Sequence, residues 1–96
     1  MATIDIRRAH SFDKTTAKQK AETLARGMEE KLGLAWKWAG DEIHFNAPSG
    51  MAKGTNGKVI VGEKEVHVAV DLPFMLKAMK GKIESKITEK LGEVLA

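Results

Sequence analysis

Ninety-six residues suffice for one domain and are too few for two. A chain of this size buries roughly 60–70% of the surface its unfolded form exposes, enough for a core without covalent staples. The residues are 43% hydrophobic and 30% charged, and the absence of cysteine excludes a disulfide frame, thiolate chemistry and a thiolate metal site.

Thr3 to Arg8 alternates, Ile4 and Ile6 against Asp5 and Arg7, which predicts a first strand. The stretch Met1–His10 has no apolar signal-peptide core, and no run in the chain nears about 18 uninterrupted apolar residues. No membrane span is therefore expected, and the lack of cysteine is compatible with a reducing compartment. Asp13 is suited to cap a helix running from about Lys14 to Lys31, stopped before Gly33, with Phe12 and Ala17 spaced as a hydrophobic staple. Its buried stripe is Ala17, Ala21, Leu24, Ala25, Met28 and Leu32. Three alanines make that stripe thin and let the helix lie close to a sheet. Lys18–Glu22, Glu22–Arg26 and Arg26–Glu30 are i,i+4 pairs on the wet side.

Leu34–Ala39 and Glu42–Ala47 read as a hairpin around Gly40-Asp41, a two-residue turn with glycine first. That turn pairs Trp38 with Ile43 and Trp36 with Phe45 on one face, and Lys37 with His44 on the other. Gly50, Gly54 and Gly57 break any pattern, so Pro48 to Asn56 reads as a loop into a strand regular from about Gly57. A second hairpin, Lys58–Val61 with Glu65–Asp71, sets Val61 against Val66 and Val59 against Val68. Ile60 and His67 fall on the opposite face. A last helix begins at Pro73, with Asp71 as cap, and runs to about Val94. Its stripe is Leu76, Met79, Ile83, Ile87, Leu91 and Val94, and Gly81 is a place for it to bend. The order strand, helix, four strands, helix predicts a single α+β domain over residues 1–96. An antiparallel sheet of about five strands carries both helices on one face.

Chemistry-bearing residues are sparse. His10, His44 and His67 lie in no metal-type spacing, so no metal site is expected. His44 and His67 read as solvated strand residues, the alternative being a shared, pH-sensitive interface. Arg7, Arg8 and His10 stand beside a helix N-terminus as a candidate anion contact, against ordinary surface charge. Gly50 to Lys58 superficially resembles a phosphate loop, but Val59 replaces the required Ser or Thr and a strand follows instead of a helix. Ser11, Ser49 and Ser85 have no evident base. No catalytic group and no cofactor are expected, and the chain is read as not an enzyme.

The start of the last helix carries Phe74, Met75, Leu76 and Met79, which cannot all face one sheet at about 100° per residue. The first expectation is that Phe74 packs at the helix entry and Met75 flanks the core. The alternative, with Lys77, Lys80, Lys82 and Lys86 nearby, is that Phe74, Met75 and Met79 form a contact for a partner, a second copy or an apolar surface. Ile60, on the outer sheet face, is a second apolar spot that a homodimer would cover. Trp36, Trp38 and Phe45, with Met79, are the candidate lining of a pocket for a small apolar ligand. The 16 basic and 13 acidic residues are mostly interspersed, so a nucleic-acid-binding regulator is the weakest of the three functional readings.

The segments TIDIRRAHSF, AETLA, WAGDEIHF, GKVIV and DLPFMLKAMKGKIESKI occur here in the order and spacing of a known family. Over roughly Ile4 to Leu95 the chain resembles the polyhydroxyalkanoic acid system proteins. These are small bacterial proteins tied to polyhydroxyalkanoate synthesis and granule gene regions. The Gly-rich stretch Met51–Asn56 departs from that pattern. The resemblance implies a bacterial cytoplasm, a place around polyester storage granules, a granule or granule-associated protein as partner, and acyl chains as the natural ligands of an apolar pocket. It brings no catalytic residue.

Overall fold

The computed structural model describes residues 3–48 and 53–95. The elements follow in the order β1 (Ile4–Ala9), α1 (Lys14–Leu32), β2 (Ala35–Ala39), β3 (Glu42–Asn46), β4 (Asn56–Val61) and β5 (Glu65–Asp71). A 3-10 turn (Phe74–Met79) and α2 (Lys80–Val94) complete the chain. All strand pairs are antiparallel, and the sheet order is β1-β5-β4-β3-β2. This is the α+β arrangement that the element order predicts.

Both ends of α1 are closed by local chemistry. Asp13 accepts a hydrogen bond from the Thr16 amide at 2.8 Å. At the other end Gly33 adopts the left-handed conformation (φ 70°) and returns its amide to the Glu29 carbonyl at 2.9 Å. Ala17, Ala21, Leu24, Ala25 and Met28 are all buried, so the thin stripe is the face laid on the sheet. The Leu32 side chain, expected to continue it, lies outside the described residues, as do positions 49–52 of the Gly-rich loop. Lys53 and Gly54 form a turn, and β4 starts at Asn56, one residue earlier than the alternation predicts.

Both hairpin registers match the expectation: Trp36 pairs with Phe45, Trp38 with Ile43, Val59 with Val68 and Val61 with Val66. Gly40 has φ 66° while no described non-glycine residue has positive φ, the pattern of a glycine-first turn. Lys58, the end of the superficial phosphate-loop likeness, lies within β4. The inner face carries Ile4, Ile43, Phe45, Val59, Val61, Val66, Val68 and Val70, all buried. α1 covers it over β2, β3 and β4, while α2 packs on β1 and on α1, contributing Ile87 and Leu91.

The last helix departs from its predicted form. Pro73 stands just before a 3-10 turn rather than inside an α-helix, and no side chain caps that turn. Asp71, the expected cap, ends β5 opposite Asn56. The α-helix begins only at Lys80, so the break falls one residue ahead of Gly81. Of the expected stripe, Ile87 and Leu91 are buried, Leu76, Ile83 and Val94 are partly buried, and Met79 is 41% exposed.

Gly57 sits opposite Phe45 in the register, and the phenyl ring occupies the place of its missing side chain. A Cβ there would collide with the Ala69 carbonyl and come within 2.7 Å of Phe45 Cζ. Gly81 has open space around it. Gly57→Ala is expected to destabilise the fold by about 1–3 kcal/mol in urea unfolding. Gly81→Ala should leave stability unchanged or raise it by up to about 1 kcal/mol.

The first hairpin turn is tied to α1 by charge. Asp41 pairs with Lys14 and, at 3.3 Å, with Lys18. Lys14 and then Lys18 hold the Asp41 carboxyl below its ordinary value of 3.8 by hydrogen bonding, and hydrogen bonding from Thr16 does the same for Asp13. A depressed carboxylate stabilises the fold above its ordinary value, and that contribution is lost as pH falls through the folded value. The melting temperature should therefore drop as pH is lowered below about 3.8. Asp41→Asn should flatten that drop in a pH series of thermal melts.

Candidate docking surface

Chain geometry at the exit of β5 decides what the 3-10 turn exposes. Leu72 is buried, and its amide hydrogen-bonds Thr3 Oγ1 at 3.3 Å, which pins the strand end. Pro73 continues extended (φ −66°, ψ 159°) and its carbonyl accepts the Leu76 amide at 2.9 Å, opening the turn. Gly54 lies against Pro73; a Cβ on it would be 3.2 Å from the Pro73 Cβ. The loop before β4 thus abuts the start of the turn.

A 3-10 turn repeats every three residues, so side chains at i and i+3 stack. Leu76 and Met79 share one ridge, and Leu76 is the side chain of the turn packed against the core. Phe74 with Lys77, and Met75 with Ala78, form the other two ridges. Phe74 and Met75 are each 87% exposed. An α-helical reading spaces these residues by about 100° and would place Met75 on the flank of the core. At about 120° per residue both large side chains are turned away from it.

Charge gathers at the same place. Residues 73–90 hold five lysines against two glutamates, a local charge of +3 that equals the net charge of the whole chain. Lys77, Lys80, Lys82 and Lys86 are exposed, and Lys90 lies 3.6 Å from Glu93. Outside this segment the acidic and basic side chains cancel.

The other sequence candidates are distributed differently. Ile60 is half-buried on the open sheet face, opposite His67 and Glu42. It lies four residues, about 13 Å, along β4 from Asn56, the end of the strand nearest the 3-10 turn. The candidate anion cluster is not assembled. Arg7 is on the open face, 3.2 Å from Glu65, whereas Arg8 is on the helix side near Gly92. Both nitrogens of His10 are engaged, Nε2 with the Gly62 carbonyl at 3.0 Å and Nδ1 with the Phe12 amide at 3.2 Å. Adjacent strand residues face opposite ways, and this separates the two arginines.

His44 and His67 lie on the open face as expected, against Glu42 and Asp5 at 3.1 and 2.8 Å, but only His44 is solvated; the His67 side chain is 18% exposed. Among the described residues no group of three His, Asp or Glu could hold a metal ion.

The acyl pocket also separates into parts. Phe45 is buried in the core, but Trp36 and Trp38 are only partly buried, on the edge strand β2. Trp36 Nε1 donates to Glu29 at 2.8 Å and Trp38 Nε1 to Glu22 at 2.9 Å. Separate open grooves adjoin them, one along Lys18, Glu22 and Trp38, the other along Arg26, Glu29 and Trp36. Met79 is exposed in the turn after β5, away from both grooves. Sequence reading missed the Trp–Glu contacts, although Glu22 and Glu29, two helical turns apart, face the same way as the strand tryptophans.

A small α+β protein with a covered sheet and one apolar, lysine-flanked turn is the class that these features define. A sequence model of the family described as "Putative polyhydroxyalkanoic acid system protein" matches residues 4–95, and the chain belongs to that family. No curated protein and no solved structure matches it. No described helix is long and apolar enough to cross a membrane.

Because Leu76 anchors the turn and Phe74 does not, their truncations should differ. Leu76→Ala is expected to cost about 1–2 kcal/mol and to speed amide exchange at 74–79. Phe74→Ser should stay within about 0.5 kcal/mol of the parent in the same unfolding assay.

Proposed function

We propose that this protein is a non-catalytic accessory component of the bacterial polyhydroxyalkanoate system. It acts in the cytoplasm by attaching to the storage granule or to a protein on it. The observation that carries the reading is the pair Phe74 and Met75, each 87% exposed on a turn with four exposed lysines within reach. Large apolar side chains left that far in water favour a contact that removes them from it. Burying the two would contribute about 1.5–3 kcal/mol each before ordering costs. Family membership supplies the polyester setting, and the turn supplies the means of attachment.

The test is co-sedimentation of purified protein with isolated polyhydroxyalkanoate granules. Wild-type protein is expected in the granule fraction, and the double variant Phe74→Ser/Met75→Ser should bind at least about tenfold less. A double variant that sediments as well as wild type would overturn the assignment of the contact. Wild-type protein that stays wholly in the supernatant would overturn the granule role.

A further inference from the structure

We infer that the 3-10 turn and the first turns of α2 form a site for an anionic lipid surface, with Phe74 and Met75 entering the acyl region and the lysines meeting the headgroup phosphates. The inference rests on the docking role proposed above and gives it a chemistry.

Three features support a lipid layer. The apolar group is convex: Phe74 and Met75 project on two ridges of a tight turn, and neither is buried in the protein. A projecting tip suits a deformable layer that closes around it. Second, the charge is next to the tip. Lys77 follows Phe74 on the same ridge about 6 Å along the axis, and Lys80 and Lys82 follow within the next turn. Lysine stems let the ammonium groups stay at the phosphate level while the apolar tip goes deeper. Third, the whole net charge of the chain is concentrated in this segment. A bare polyester surface offers neutral ester groups and would leave that charge unmatched. A second copy of the chain would bring an equal positive patch and be repelled. No described helix can span a bilayer, so the contact is with the surface layer only.

Flotation assays distinguish these cases. The probes are phosphatidylcholine vesicles, vesicles with about a third phosphatidylglycerol, and lipid-free polyhydroxyalkanoate particles, each at about 0.05 M and about 0.5 M salt. Wild-type protein should bind the phosphatidylglycerol vesicles at least about tenfold better than the neutral ones, and lose most of that binding at high salt. Phe74→Ser/Met75→Ser and Lys77→Glu/Lys80→Glu/Lys82→Glu should each reduce it at least about tenfold. Circular dichroism melts should show both variants folded, since all five side chains are exposed.

Salt-insensitive binding to bare particles with none to anionic vesicles would overturn the lipid inference and leave the docking turn standing. Vesicle binding that needs the lysines but not Phe74 and Met75 would overturn the inference as well, reducing it to surface charge. A Phe74→Ser/Met75→Ser variant that binds every probe like wild type would overturn both readings.

Discussion

Five strands turn their apolar residues to one face, and two helices are what the described chain has to cover it. α1 does so by closeness: alanines at 17, 21 and 25 let its backbone approach β2, β3 and β4, while Leu24 and Met28 fill the space between. That position leaves α2 the strip over β1 and the flank of α1. The strip is short, and Ile87 and Leu91, with support from Ile83 and Val94, are enough to fill it. Residues 74–79 therefore have no core position left beyond the one Leu76 takes. The exposed turn follows from how the sheet is covered.

The same closeness shapes the β2 edge. Trp36 and Trp38 are too large to fit under an alanine-rich helix, so they lie at its margin with indole N–H groups bonded to Glu29 and Glu22. Glu22 also pairs with Arg26 at 3.0 Å, and Lys18 leaves the expected Glu22 pairing for Asp41 and for the face of Trp38, 4.9 Å from the ring centroid. Exposed pairs of this kind contribute little singly. Together they hold the first hairpin to α1 from its turn to its open end.

Features backed by two independent local signals were legible in the residues. The first hairpin had both a glycine-first turn and a consistent alternation, and its register is as read. α1 had a cap and a stop, and both are used. Strand order was not legible, because β1 joins β5 through contacts between residues about sixty positions apart, with no local mark. The 3-10 turn was missed for a different reason. Over six residues a repeat of 3 and a repeat of 3.6 are too alike to separate, so one continuous helix was the natural reading. The excess of apolar residues at the start of the last helix was legible, but their placement was not: Phe74, expected first to pack at the helix entry, and Met75, expected first to flank the core, are both exposed. Alternation along β1 favours ordinary surface charge over an anion contact for Arg7, Arg8 and His10, and Arg7 and Arg8 do face opposite ways.

Pairing the first strand with the last also sets an order of assembly. Each hairpin closes over a few residues, whereas β1 can dock only after β5 exists, once about three quarters of the chain has been made. Until then Ile4 and Ile6 have no neighbour strand, and the edge of β5 stands open. Closing that long loop is the entropically expensive step, and it completes the sheet just before the lysine-rich segment emerges.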